Sequence, residues 1–335
     1  MRMPTQTEAF EALYGLAAGD GREEALFGDC APLAREAYSR SLVGEGFPVV
    51  WFELPLLGDP RFDLHVALAR EMLLSGARSL PYAGERYREL FDWYATGETG
   101  GNGLAFAFDV SEGRIDDPAV HVNVNGSPLS SMSRFFDLAA GSGAAERYEG
   151  FADRLPTGLR VWYAGVHPGR PGSPVRVDCF VSAALKEEYA RDGALLEHDL
   201  RSCGFDVAGP VLRELSEPIL DSPFNLELQF DVMHDGSTGP TLGISAGFSL
   251  KSESAVRGIF SEGGAASQLM DAIEVLGLSD ARWRHVPGTA FSRFMQVDGA
   301  LLALYCVPTF VKLRLRDGKS LDAKMYLQAG ARILS

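Results

Sequence analysis

Five pairs of strand-like segments, each pair joined by a short connector, constrain the fold of this chain more than any other feature of its sequence. Within each segment apolar and polar residues alternate, as in half-buried β-strands, and the connectors are rich in the Gly, Pro, Asp and Ser of hairpin turns. Helical stretches lie between the pairs. The ten predicted strands span residues 49–55 and 62–68, 103–110 and 119–125, 159–166 and 174–182, 224–233 and 241–250, and 309–316 and 321–328.

Paired strands of this kind restrict the sheet to a few arrangements. Hairpins make antiparallel neighbours, so a parallel sheet of the Rossmann or TIM-barrel type is disfavoured. Ten antiparallel strands form either an open sheet with one face in water or a barrel closed on itself and surrounded by helices. Barrels wider than eight strands can enclose a cavity, and closure removes the exposed edges. Alternation alone leaves both arrangements open.

Each strand has one apolar and one polar face, because successive side chains point to opposite sides of a sheet. We expect the apolar faces to pack against the helices. The polar faces then form either a solvated surface or the lining of a water-filled lumen. They carry Asp63 and His65, His121 and Asn123, Asn225, Glu227, Gln229 and Asp231, Lys312, Arg314 and Arg316, and Lys324, Tyr326 and Gln328.

The charge composition of the chain limits the classes of partner that it can bind. The chain has 335 residues, 45 of them acidic and 31 basic, with a formal net charge of −14. Such a surface repels nucleic-acid phosphates and anionic lipids, so we expect neither a nucleic acid nor a membrane as partner. The four cysteines lack CxxC spacing, so neither a zinc site nor a redox pair is indicated. So few cysteines, and an N-terminus without the apolar core of a secretion signal, predict a cytoplasmic protein. Since all the strands should join one sheet, we predict a single barrel domain over 1–335 with an N-terminal helical segment over 1–46.

Several catalytic motifs are missing from the sequence. It contains no DDxxD of the helical prenyl synthases, no GxxxxGK[ST] phosphate loop, no GxSxG nucleophile elbow and no HExxH zinc motif. The six histidines are scattered along the chain. We therefore predict no protein-held metal site.

Short basic motifs on the polar faces carry a resemblance to a known family. Lys324–Met325–Tyr326 forms a Lys-x-Tyr pattern, the row from Lys312 to Arg316 is a related basic alternation, and Arg160–Val161–Trp162 is a looser match. With five repeats of hairpin and helical stretch over about 50–328, the chain resembles the aromatic prenyltransferases of the ABBA, or PT-barrel, fold. In layout it is similar to cyanobactin-type peptide prenyltransferases and to small bacterial aromatic prenyltransferases.

The resemblance implies both a fold and a reaction. The fold is α+β: a ten-stranded antiparallel β-barrel with a polar lumen, surrounded by α-helices. The reaction moves a prenyl group from an allylic diphosphate, such as dimethylallyl or geranyl diphosphate, to an aromatic small molecule or a peptide side chain. The alternatives are a non-catalytic barrel or sheet that binds an anionic ligand or a peptide, and another enzyme with a curved antiparallel sheet.

The resemblance also implies a diphosphate site on the basic rows, because fixed cations stabilise the charge that develops on the leaving group. The alternative is a solvated basic face that protects a sheet edge. The basic rows are predicted to be a local excess of positive charge, so removing one of the clustered cations should relieve repulsion. Lys324→Ala should therefore leave the melting temperature unchanged or slightly raised. The predicted diphosphate-binding residues are Arg160, Arg176, Lys312, Arg314, Arg316, Lys324 and Tyr326.

The remaining predictions concern the carbocation and the acceptor. Trp51, Trp162 and Phe180, together with Tyr326, are predicted to form an aromatic wall around the cation; ordinary aromatic packing is the alternative. Glu53 stands where the indole and peptide branches place a Glu near the acceptor. It is predicted to take the acceptor's proton or to hold its O–H or N–H group, with Asp63 and His65 as weaker alternatives. A Mg²⁺ ion accompanying the diphosphate, through Asp63, Asp109 or Asp231, is left open.

Overall fold

The computed structural model describes residues 5–41, 46–75, 85–96, 103–110, 113, 115, 117–124, 129–141, 143–167, 174–250, 252–297, 300–317 and 319–334. Within these residues eleven strands form one antiparallel sheet. They are β1 (Val49–Pro55), β2 (Asp63–Leu68), β3 (Leu104–Phe108), β4 (Ala119–Asn123), β5 (Leu159–Val166), β6 (Val175–Val181), β7 (Asn225–Val232), β8 (Thr238–Gly247), β9 (Phe291–Val297), β10 (Ala300–Arg316) and β11 (Lys319–Leu334).

Eleven α-helices are described between and before these strands. A π-helical turn (Glu23–Phe27) and a 3-10 turn (Gly28–Cys30) join the first two helices, and a 3-10 segment (Ala281–Thr289) precedes β9. No helix in the described residues is long and apolar enough to cross a membrane. The helices are α1 (Gln6–Ala18), α2 (Ala31–Arg40), α3 (Arg70–Ser75), α4 (Glu85–Thr96), α5 (Leu129–Ala140), α6 (Ala144–Ala152), α7 (Ala183–Arg191), α8 (Gly193–Ser202), α9 (Gly209–Leu220), α10 (Glu253–Ile259) and α11 (Ala265–Val275).

Ten of the strands close into a barrel. The ring runs from β1 through β8 in sequence order, continues to β10 and β11, and returns to β1, while β9 pairs only with the outer part of β10. All five predicted hairpins are present. The predicted closed, ten-stranded antiparallel barrel is confirmed, and closure leaves the ring without a free edge.

The hydrophobic core lies between the barrel and the helices. On β10, for example, Val311, Leu313 and Leu315 are fully buried. On β1 the ring of Phe52 lies between 5.5 and 6.3 Å from the rings of Phe10 and Tyr14 in α1 and of Phe27. Because the apolar face of each strand packs on helices, alternation turns the polar face inward. The predicted assignment of faces therefore agrees with the structure.

The C-terminal part of the sheet extends beyond the prediction. β10 contains 17 residues and β11 contains 16. The first half of β10 pairs with the last half of β11 on one side and with β9 on the other, and these three segments extend the barrel wall. The sequence did not predict β9 or the start of β10. For the start of β10 the reason is that both faces are apolar: the buried Leu302 and Leu304 alternate with Leu301 and Ala303, so the usual change of polarity at every second residue is absent.

Candidate active site

The Lys-x-Tyr motif lies on the lumen side of the barrel, as its alternation predicts. In the registers that join β10, β11 and β1, Lys312 is opposite Lys324, and Tyr326 is opposite both Phe310 and Glu53. Lys312 is 7 % exposed, and Lys324 and Glu53 are each 9 % exposed. Three neighbouring strands thus bring two ammonium groups, a phenol and a carboxylate together in a largely buried cluster.

Glu53 is the centre of an ion-pair network. Its carboxylate accepts a hydrogen bond from the Lys324 ammonium and lies 3.1 Å from His65 Nε2. The same ammonium lies 3.6 Å from the Asp63 carboxylate. Burial by itself would raise the pKa of Glu53, but the attraction of Lys324 and the contact with His65 outweigh it and hold the pKa well below its usual range. Glu53 is therefore ionised at neutral pH.

Tyr326 completes this network. Burial and the adjacent Glu53 carboxylate raise the pKa of the phenol well above its ordinary value. The phenol consequently keeps its proton and remains an O–H donor. Its ring is stacked on Phe310, with centroids 4.1 Å apart and planes at 19°.

Lys312 differs from the other buried cations. Among the described residues it has no carboxylate within ion-pair distance. Its Nζ donates to Gln229 Oε1 at 3.3 Å and lies 4.7 Å from the centroid of the Tyr326 ring. Gln229 Nε2 in turn donates to Asp178 Oδ1 at 2.5 Å. Burial lowers the pKa of Lys312 to about 8, against the opposing attraction of Glu53 and Asp178.

Two predicted phosphate-binding arginines are already engaged. Arg176 forms a two-pronged contact with Asp231, at 2.8 and 3.1 Å, and Arg314 forms one with Asp322, with both distances 2.6 Å. Lys324 lies between two carboxylates. The predicted local excess of positive charge on the basic rows is wrong, because carboxylates on the same faces compensate it. For the same reason, removing Lys324 is no longer expected to relieve repulsion.

The other two predicted cations lie apart from the buried cluster. Arg160 is the second residue of β5 and Arg316 is the last residue of β10, and both are exposed. The Arg316 Nε atom donates to Thr241 at 3.3 Å. These side chains belong to the ends of the barrel rather than to its interior.

The aromatic wall differs from the prediction at one point. Trp51 and Phe180 occupy lumen positions, opposite Gln328 and Glu227 in their registers. A β-bulge between Val161 and Tyr163 shifts β5 by one residue, so that Tyr163 takes the position opposite Asp178 and Trp162 is the extra residue. The Trp162 ring packs against Tyr163 with centroids 5.3 Å apart.

Sequence reasoning missed several lumen residues. Phe310, Tyr163, Asp178 and Asp322 were not named as site residues, and Glu227 and Gln229 were assigned only to a polar face. The parity signal was available for the acidic ones, since Asp178 is two residues from Arg176 and Asp322 is two residues from Lys324.

The carboxylates suggested for Mg²⁺ do not form a ligand cluster. Asp231 is held by Arg176, Asp63 faces Lys324, and Asp109 is exposed. No group of three or more potential metal-ligating side chains occurs in the part of the chain that the structure describes. A metal ion at this site would have to take most of its ligands from the diphosphate.

The closed ring of ten antiparallel strands, with helices outside and polar side chains inside, has the arrangement that the ABBA or PT-barrel resemblance predicts. No family model matches the chain, and no curated protein matches it in sequence. AnaPT from Neosartorya fischeri is similar in structure, with 13 % identity, 98 % of this chain and 88 % of that chain covered, and a TM-score of 0.46. So is 6-dimethylallyltryptophan synthase from Micromonospora olivasterospora in complex with DMASPP and Trp, with 15 % identity, 97 % of both chains covered, and a TM-score of 0.46.

Proposed function

We propose that this protein is a prenyltransferase that moves a prenyl group from an allylic diphosphate to an aromatic molecule or a peptide side chain. The observation that carries the proposal is the environment of Lys312. Lys312 has a buried ammonium group without a carboxylate partner among the described residues, lying over an aromatic ring in a polar lumen. Burying an ammonium group that has no ion-pair partner costs free energy, and a bound anion offsets that cost. A diphosphate supplies that anion.

The donor's diphosphate is proposed to bind along β10 and β11. Lys312 contacts it directly, Tyr326 donates its O–H, and Lys324 and Arg314 add positive charge beside it. When the allylic C–O bond breaks, its electron pair leaves with the diphosphate, whose negative charge increases. Fixed cations in a site of low dielectric constant stabilise this charge more than water does. Arg176 belongs to the same electrostatic neighbourhood, since its charge acts on both Lys312 and Tyr326.

The allylic cation then requires a wall without nucleophiles. The stacked rings of Phe310 and Tyr326 lie directly beside Lys312. Trp51, Phe180 and Tyr163 line other parts of the lumen. Aromatic faces attract cations, at about 0.5–2 kcal/mol for each contact. We propose that these rings shield the cation from water. Trp162, at the bulge of β5, is proposed to add to this aromatic wall beside Tyr163.

Glu53 is proposed to hold the acceptor rather than to deprotonate it. A carboxylate whose pKa is well below the usual range remains ionised and is a weak proton acceptor at neutral pH. It can still accept a hydrogen bond from an acceptor's N–H or O–H group. Its charge also stabilises the nearby carbocation. Any Mg²⁺ would be held by the diphosphate, with Asp63 as the adjacent carboxylate.

The direct test is a transfer assay. The protein is incubated with dimethylallyl or geranyl diphosphate and with Trp, Tyr or a Tyr-containing peptide, and the products are analysed by mass spectrometry. We expect the mass of one acceptor to increase by one prenyl unit, with release of one pyrophosphate per product. Lys312→Met, which keeps an unbranched side chain only one atom shorter and removes its charge, should abolish the gain. If pyrophosphate binds but no acceptor gains mass, the barrel is a non-catalytic binder of anions.

A further inference from the structure

One lumen carboxyl group is unused by the mechanism above. Glu227 lies on β7, opposite Phe180 of β6 and Ser245 of β8, and it is partly buried. Within the described residues it makes no hydrogen bond and no ion pair. This sets it apart from Glu53, Asp231 and Asp322, whose carboxylates all contact a cation.

The surroundings of Glu227 keep its proton affinity high. Burial is the main cause, and the neighbouring Asp178 carboxylate adds to it, while the Lys312 ammonium opposes both. The result is a pKa raised from 4.5 to about 7. A general base works best when its pKa lies near the working pH, because it is then both available and able to hold the proton.

The strand beside Glu227 has no side chain at two of its lumen positions. β8 carries Gly243 and Gly247 on its lumen face, on either side of Ser245. A Cβ atom at Gly247 would lie 3.5 Å from Glu227 Oε1, and one at Gly243 would lie 3.0 Å from Lys312 Cδ. Because these two positions have no side chains, no Cβ atom stands against the Glu227 carboxyl group or the Lys312 side chain from β8.

We propose that Glu227 is the catalytic base that receives the proton lost by the acceptor. The inference rests on the proposed prenyl transfer and adds to it a second carboxyl group with a separate task. Glu53 accepts a hydrogen bond and stays ionised, whereas Glu227 changes its protonation state. Glu227 and Lys312 lie opposite the same residue, Ser245, from the two strands that flank β8, which puts the base one strand away from the proposed donor site.

The proposed prenyl transfer conserves atoms and electrons. The allylic C–O bond breaks and its electron pair leaves with the diphosphate. An electron pair of the acceptor, from a ring carbon, a nitrogen or an oxygen, forms the new bond to the allylic carbon. The acceptor's proton moves to the Glu227 carboxylate, which later releases it to water. No oxidant, reductant or additional reactant is needed.

The experiment compares Glu227→Gln with the wild type and with a control, Glu262→Gln, which makes the same chemical change at an exposed position in the turn after α10. The readout is kcat/KM for prenyl transfer between pH 5.5 and 8, together with pyrophosphate affinity. In the wild type and the control, kcat/KM should rise with pH through about 7. In Glu227→Gln this rise should vanish and turnover should fall by roughly 10²–10⁴-fold, with pyrophosphate binding retained.

Two outcomes overturn the inference while leaving prenyl transfer intact. One is a Glu227→Gln variant with the turnover and pH profile of the wild type. The other is a lower rate whose rise through about 7 persists, since that would show a structural role. A wild type that transfers no prenyl group to any acceptor would instead refute the proposed function, and the inference with it. Melting curves of all three proteins check that each is folded.

Discussion

The Lys312 ammonium lies 4.7 Å from the centroid of the Tyr326 ring. This contact depends on the register of β10 and β11, which places Lys312 opposite Lys324 and Phe310 opposite Tyr326. A slip of one residue would turn both side chains outward, toward the helices. Since the helix-facing side of these strands is apolar and tightly packed, the hydrophobic core fixes the position of the polar site.

Removing Lys324 should destabilise the protein. Lys324→Ala leaves the buried carboxylates of Glu53 and Asp63 without their ammonium partner, and breaking a buried pair in this way costs about 3–5 kcal/mol. Chemical denaturation at pH 7 measures the loss. The double variant Lys324→Met with Glu53→Gln should recover part of it, because the Glu53 carboxylate is then no longer buried without its cation, while the charge of Asp63 remains. An unchanged free energy of unfolding in Lys324→Ala would contradict the buried network.

Much of this network could have been read from the sequence, and some of it could not. The strands and their faces follow from alternation, and the same alternation puts Asp322 beside Lys324 and Asp178 beside Arg176. The bulge at Trp162 could not be predicted, because no residue pattern in β5 indicates it, yet it changes which side chains of the strand face the lumen. The ion pairs depend on which strands are neighbours and in which register, information that lies in the closed ring.

Replacing Glu53 with Gln should separate catalysis from donor binding. The variant keeps the shape of the side chain but loses the charge that holds the acceptor and stabilises the carbocation, so turnover should fall by roughly 10²–10³-fold. Pyrophosphate affinity should remain near normal or increase, because the Glu53 carboxylate no longer competes with pyrophosphate for the Lys324 ammonium. Steady-state kinetics and calorimetry give the two quantities. A large loss of pyrophosphate affinity would show that Glu53 acts by organising the cations.

Glu227→Gln should make the folded protein more stable above neutral pH. The pKa of Glu227 is raised on folding, from 4.5 to about 7, so its stabilising contribution is present below about 4.5 and is lost as the pH rises through about 7. The amide has no charge to bury. At pH 8 the variant should therefore unfold with a free energy roughly 1–3 kcal/mol higher than the wild type, and the difference should shrink toward pH 5. Equal stability at both pH values would contradict the raised pKa.

The alkaline side of the pH profile should report Lys312. Its pKa of about 8 means that the ammonium loses its proton just above neutral pH, so kcat/KM should fall as the pH rises through about 8. Lys312→Arg keeps a positive charge throughout this range. Its profile should therefore lack the alkaline fall, even if its maximum is lower. Persistence of the fall in Lys312→Arg would assign it to another group.

The proposed donor site is tested most directly by the affinity of inorganic pyrophosphate, measured by calorimetry at pH 7 for the wild type and for Lys312→Met. A charge-assisted contact contributes about 1.5–3 kcal/mol, so the variant should bind pyrophosphate roughly 10- to 100-fold more weakly. The uncomplexed variant should melt at a temperature equal to or higher than that of the wild type, because a buried charge has been removed. Equal affinity in the two proteins, or binding to the wild type that moderate salt abolishes, would contradict a diphosphate site built around Lys312.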